Sequence, residues 1–231
     1  MIELHQFAAV DGVNSSPFCA KVEIYLRLAR MPYRVVVDPP FKGPKGKLPF
    51  VVVDGMTIAD SGAILAHFEA TRPDPLDAGL DEAAKTQAHL LRRTLEESLY
   101  FAMLYNRWVI DANWPRVRDG FFGMIPAPIR PLVTALIRRK IVRDLEGQGT
   151  GRLAPDEVHA RGVADIRAVA AALGTRDFLV ADRPTTIDVT LHAFLDNLLN
   201  GGFPGPLRDA ARGEAGLTAH HARMAALIAG A

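Results

Sequence analysis

The order of apolar and polar positions divides the 231-residue chain into two unlike parts. Up to about residue 72 the period keeps switching. "IELHQF" (2–7) reads as a short strand, and "YRVVV" (33–37) is a β-branched one. "FVVVDGMTIA" (50–59) is two short strands around Asp54-Gly55, a dipeptide that turns hairpins. "PFCAKVEIYLRLARM" (17–31) sets Val22, Leu26 and Ala29 at i, i+4 and i+7, with Phe18 and Tyr25 adding to that helical face. "SGAILAHFEA" (61–70) reads as a second helix, and the Pro- and Gly-rich "DPPFKGPKGK" (38–47) as an irregular loop. The order β-α-β-loop-β-β-α predicts parallel strands from the first βαβ unit and an antiparallel pair from the hairpin.

Beyond "ATRPDPLDAGLDE" (70–82) the period is almost entirely helical. "DEAAKTQAHLLRRTLEESLYFAMLYNRWVI" (81–110) repeats apolar residues such as Leu91, Leu95 and Ala102 over many turns. "IRPLVTALIRRKIVRDLEG" puts Val133, Ile137 and Ile141 on one stripe, and Gly174 stops a third helix. In "RPTTIDVTLHAFLDNLLNGG" Thr185 and Asp188 make a capping-box start, with Gly201 and Gly202 behind as a stop. "GLTAHHARMAALIAGA" reads as a further helix. The expected architecture is an α/β domain over 1–72, a linker over 73–81 and an all-helical domain over 82–231.

Composition narrows the function little. Twenty-seven basic and 26 acidic residues leave a formal net charge of +1, which argues against nucleic acid as a partner. One cysteine cannot close an intrachain disulfide or build a zinc cluster, and the seven histidines show no ligand spacing, so no metal is expected. "MIELHQFAAVDG" lacks the basic start and apolar run of a signal peptide, and no stretch has a transmembrane pattern, so a cytoplasmic protein is expected. His89 and His192 read as packing or surface residues, and His220 and His221 as solvent-facing ones.

"SSPFC" (15–19) is the stretch that carries chemistry. Ser16 and Pro17 suit the N-cap and first position of a helix, which would account for the stretch by itself. That helix follows the first strand of a βαβ unit, so its N-terminus lies at the strands' C-terminal edge, where open sheets bind ligands and free amides favour an anion. The spacing also matches a C-x-x-C motif with Ser16 in the attacking position and Cys19 in the second. Pro49 stands directly before a strand, where a missing ladder donor needs a reason. Asp60 and Ser61 open a helix and can hold a zwitterion, the acid taking an ammonium and the amides a carboxylate.

Taken together, "SSPFCAKVEIYLRLA", "KGKLPFVVVDG", "IADSGAILAHFE" and "RPTTIDVTLHAFL" resemble the glutathione transferase superfamily over the whole chain. "SPFCAKVEIYLRLA", "PKGKLPF" and "NRWVIDANWP" look most like its branch related to failed-axon-connections and metaxin proteins. The resemblance implies a thioredoxin-like N-terminal domain and an all-helical transferase C-terminal domain. It implies a cis Pro49, with Leu48 offering its backbone to the cysteinyl part of glutathione. Asp60 and Ser61 would hold the γ-glutamyl group, and Lys45 or Lys47 the glycyl carboxylate. Ser16 would activate the thiol, with Ser15 as its rival and Phe18 beside it. Glutathione would be a co-substrate attacking a small hydrophobic electrophile, in a homodimer. Tyr100, Tyr105, Trp108 and Trp114 are candidate walls for the electrophile, although aromatic residues at helical spacing also suit a core.

The same resemblance leaves a second reading open, a non-catalytic transferase fold that binds a membrane or a partner. The basic stripe Arg130, Arg138, Arg139, Lys140 and Arg143 would serve it, unless this is a solvated helix face. A glutaredoxin-like redox enzyme ranks last, since it needs a cysteine where Ser16 stands.

Overall fold

The computed structural model describes residues 1–123 and 125–231. Its four-stranded sheet is built from β1 (Ile2–Gln6), β4 (Tyr33–Val37), β5 (Phe50–Val53) and β6 (Met56–Ala59), in the order β4-β1-β5-β6. β1 and β4 run parallel with Ile2 opposite Tyr33, while β5 is antiparallel to β1 and to β6. Asp54 and Gly55 both have positive φ, 49° and 78°, the paired left-handed geometry that closes a two-residue hairpin without splaying its strands. A further hairpin, β2 (Ala9–Val10) and β3 (Val13–Asn14), sits between β1 and the first helix. The helices α1 (Pro17–Leu28) and α2 (Ser61–Thr71) complete this half.

The helical half contains α3 (Glu82–Arg93), α4 (Tyr100–Trp108), α5 (Trp114–Phe121), α6 (Arg130–Gln148), α7 (Pro155–Leu173), α8 (Thr186–Leu199), α9 (Pro206–Gly213) and α10 (Ala215–Ala229). The long helical pattern from residue 81 is not one uninterrupted α-helix. Thr94–Leu99 forms a π-helical turn between α3 and α4, which re-aims the residues that follow. α8 is buried nearly all round. At its start the Asp188 carboxylate accepts from the Thr185 amide at 3.0 Å and hydroxyl at 2.7 Å, and from Leu179 N–H at 2.8 Å.

The apolar core does not respect the boundary between the halves. Ile2, Leu4, Val22 and Ile64 of the sheet half share one cluster with Val189, Met224 and Ile228 of α8 and α10. The connecting segment is tied at both ends. Glu69 accepts from the amides of Leu76 and Asp77 at 2.9 and 2.8 Å. Asp77 in turn accepts from the Thr186 amide and hydroxyl at 2.8 and 2.6 Å, and Arg183 donates to the Leu76 and Ala78 carbonyls. A stretch whose composition reads as a plain linker is therefore fixed by Glu69 on one side and by Arg183 and Thr186 on the other.

Candidate active site

The strand register brings the candidate residues to one edge. His5 pairs with Phe50, and Phe50 with Ala59, so Pro49 and Asp60 lie beside the end of β1 from which the chain enters α1. Ser16 is the N-cap of α1 in extended backbone geometry, and its Oγ accepts from the Cys19 amide at 3.3 Å. Its own amide donates to Asn14 Oδ1 at 3.1 Å. An oxygen that accepts from a helix amide keeps its proton free to donate.

Cys19 is fully buried and packs with Leu48 and Phe50. Burial pushes its thiol up to about 11, outweighing hydrogen bonds from Ser16 and the Phe7 backbone. Phe18 is half-buried and faces the helical half, its ring edge-on to Tyr100 at 4.8 Å and to Phe194 at 6.0 Å.

Leu48-Pro49 is a cis peptide, and the Pro49 carbonyl accepts from Asp60 N–H at 3.4 Å. Asp60 has φ 88°, a region that costs a non-glycine residue energy, and its Oδ1 accepts from the Gly62 and Ala63 amides at 2.9 and 3.3 Å. Its carboxylate is exposed, while Ser61 behind it is buried. Lys21 of α1 is fully buried and pairs with Glu96 of the π-helical turn at 2.5 Å. Its ammonium is held below the usual lysine range by burial, which Glu96 and Asp60 oppose. Lys45 and Lys47 are exposed on the loop before Leu48.

Other side chains expected at the site lie elsewhere. Tyr105 and Trp108 are buried in two different core clusters, because their helix face turns inward against α5, α6 and α7 rather than toward an open cleft. Tyr100 is the aromatic residue of α4 that meets Phe18. Two of the five cations of the basic stripe, Arg138 and Lys140, are in ion pairs among the described residues. Arg138 donates to Asp111 and to the carbonyls of Trp108 and Val109, Arg130 to the carbonyls of Gly123 and Ile125, and Lys140 to Asp144. His220 is not solvent-facing. It is fully buried, with Nε2 at 3.1 Å from Asp188, because α10 packs on the start of α8. His221 is half-buried and stacks on His192 at 4.5 Å.

Sequence reasoning passed over Arg107. It is buried in α4, and its Nη1 donates to the Ser15 carbonyl at 2.6 Å and its Nη2 to Asn197 Oδ1 at 2.8 Å. Asn197 Nδ2 donates to the Asn14 carbonyl at 3.0 Å. The helical half thus grips two successive carbonyls ahead of Ser16. An arginine among the apolar residues of "YFAMLYNRWVI" was the available signal.

Comparison with known proteins gives the family and the fold. The glutathione S-transferase N-terminal domain family matches residues 17–113, and its C-terminal domain family matches 162–224. The chain belongs to the glutathione S-transferase superfamily. It is 30% identical over 226 residues to Failed axon connections of Drosophila melanogaster, covering 90% of this chain and 53% of that protein, about half its length. It is 29% identical over 211 residues to the isoprene-epoxide–glutathione S-transferase of Rhodococcus sp. (strain AD45), covering 86% of this chain and 87% of the relative. Human metaxin-2 is 23% identical over 181 residues, covering 77% and 68%. Those relatives bear out the resemblance to the failed-axon-connections and metaxin branch. A glutathione S-transferase from Methylobacillus flagellatus KT, solved with glutathione bound, superposes with TM-score 0.65 at 17% identity over 100% of this chain and 98% of that one. This shows the shared fold. Among the described residues no helix is long and apolar enough to cross a membrane, and no group of three or more His, Cys, Asp or Glu is placed to hold a metal.

Proposed function

We propose that the protein binds glutathione along this sheet edge and ionises its thiol at Ser16 for attack on a small electrophile with an apolar body. One observation carries the reading: the strand register sets the Ser16 cap, Pro49 and the Asp60-Ser61 turn at one edge of the sheet. A thiol with a pKa of ~8.5 is about 3% thiolate at pH 7. Lowering that pKa by ~2 units takes ~2.7 kcal/mol. A hydroxyl donor to a charged acceptor contributes roughly 1.5–3 kcal/mol and a helix N-terminus ~0.3–1, so Ser16 and α1 suffice together. Asp60 would take the γ-glutamyl ammonium, Ser61 its carboxylate, Leu48 the cysteinyl backbone and Lys47 the glycyl carboxylate. Phe18 and Tyr100 would face the electrophile. A relative named for an isoprene epoxide makes epoxides the first electrophiles to try. The thiolate would attack a ring carbon, the C–O bond would open, and the alkoxide would take a proton from solvent. The same reading expects a cytoplasmic homodimer, which size-exclusion chromatography with light scattering measures.

The test is a pH titration of the thiolate absorbance of the glutathione complex. Ser16→Ala should raise the apparent pKa by a unit or more and leave affinity within a few-fold, and Ser15→Ala should do less. An unchanged pKa in Ser16→Ala removes Ser16 from the mechanism, and absence of glutathione binding to the wild-type chain removes the reading. A transferase fold that binds without turnover is favoured by the burial of Tyr105 and Trp108, which leaves a short apolar wall. An ionised thiolate with no product from a panel of epoxides and activated halides would select it.

A further inference from the structure

Arg107 is a buried cation without a carboxylate. Its guanidinium contacts a backbone carbonyl, a side-chain amide and, at 4.9 Å, the ring of Phe203, and it forms no ion pair among the described residues. A cavity of about 10 Å³ adjoins it, room for no more than about one water. Burial draws the guanidinium down to about 10, still charged at neutral pH. A buried charge that nothing neutralises is expensive to keep, so its place behind the Ser15–Ser16 peptide calls for a use.

We propose that Arg107 is a positioning residue for Ser16: from behind the site it locks the turn that presents the hydroxyl, and its unmatched positive charge favours an anion at the end of α1. The inference rests on the reading of that end as the place where a thiol ionises. Two features make it physical. The Nη1 donor ends on the carbonyl of the peptide whose amide belongs to Ser16, and the Nη2 donor reaches the Asn14 carbonyl through Asn197. Asn14 Oδ1 then receives the Ser16 amide, so Arg107, Asn197 and Asn14 hold the turn on three sides. In addition, the charge is itself buried, so it is screened less than a surface cation would be. The other charged and titratable groups toward this end of α1 are Arg116, which is paired with Asp11 at 2.9 Å on the surface, the Asp60 carboxylate, the buried Lys21–Glu96 pair, Glu23, and the neutral Cys19 and Tyr100, all of them unchanged in the variants below.

The field at this position can be read without glutathione. In the full chain, Ser16→Cys places a reporter thiol there, and the pH dependence of its alkylation by iodoacetamide gives its pKa. Cys19 adds little background, because it is buried with a raised thiol. Combining Ser16→Cys with Arg107→Met should raise the reporter pKa by about one unit, cutting the rate roughly tenfold at a fixed pH below it. Arg107→Lys keeps the charge and should recover most of the loss. Unchanged pKa values in both Arg107 variants would overturn the inference. So would an equal rise in both, since loop disorder alone would then account for it. Far-UV circular dichroism identifies a variant that fails to fold, and a misfolded Arg107→Met leaves the decision to Arg107→Lys against Arg107→Gln under the same two criteria. A depressed reporter pKa together with absent glutathione binding would sink the glutathione reading and leave the field at residue 16 standing.

Discussion

Single residues at the site serve structure and chemistry at once, and substitutions can separate the two. The Asp60 carboxylate caps α2 through two amides and, in the proposed reaction, meets an ammonium. Asp60→Asn keeps an acceptor for the amides and loses the charge. It should leave urea stability nearly unchanged and weaken glutathione binding by roughly 10- to 150-fold, the value of a charge-assisted contact. Asp60→Ala should show the same affinity loss plus about 1 kcal/mol of lost stability. Calorimetry giving equal affinities for wild type and Asp60→Asn would remove the ammonium from this turn. Cys19 is the opposite case, a thiol with no surface to react from. With its thiol at about 11, the thiolate is about one molecule in a thousand at pH 8. Alkylation of the folded chain should therefore be slow, and Cys19→Ala should keep any glutathione-dependent activity. Fast alkylation with loss of activity would make Cys19 the nucleophile. What the sequence made legible here was each local signal: cap, proline and acid. Arg107 stood out only as an arginine in an apolar stretch; its place at the site was not legible, because its partners Ser15 and Asn197 lie 92 and 90 residues away and only the fold brings them together.

At the scale of elements, the same substitution has opposite signs in two helices. Gly147 of α6 is exposed, and an added Cβ would meet nothing within 4 Å. Gly147→Ala should stabilise by ~0.5–1 kcal/mol through helix propensity and a less flexible unfolded chain. Gly162 of α7 is buried where three helices crowd, and a Cβ there would stand 2.6 Å from a Leu207 methyl and 2.8 Å from the Ala102 Cβ. Ala102 has no rotamer with which to give way, so Gly162→Ala should destabilise by ~1–3 kcal/mol despite the better propensity. Urea midpoints compare the two, and stabilisation by both would mean that α4, α7 and α9 pack more loosely than described. Elements themselves were legible where their period ran long. The 9–14 hairpin was missed although Asp11-Gly12 repeats the Asp54-Gly55 signal, because its strands are two residues each and show no alternation. The π-helical turn was missed because one inserted residue barely disturbs a 3.6 period.

For the molecule as a whole, the stacked histidines between α8 and α10 tie stability to pH. Burial, aided by His221 and His220 and opposed by Asp196, draws His192 from its ordinary 6.5 to about 4. The folded state thus favours neutral His192. Its contribution is fully present above pH 6.5 and is lost as pH falls toward 4, on the order of 3 kcal/mol across that window. His192→Leu should flatten the fall in urea stability between pH 6.5 and 4 relative to wild type. Identical pH profiles would show that His192 is already charged or already exposed. Fold class was legible from the change of period near residue 72, but the depth of contact between the halves was not, since a core shared by residues 2 and 228 leaves no mark on local periodicity.

That shared core governs the order in which a newly made chain can fold. Synthesis delivers the sheet, α1 and α2 first, yet the core they share with Val189, Met224 and Ile228 is complete only when α8 and α10 arrive, and Arg27 must wait for the Ile228 carbonyl at 3.1 Å. A chain that still lacks α10 therefore exposes apolar surface of the leading half that the full chain buries, the kind of surface that makes partly folded chains prone to aggregate.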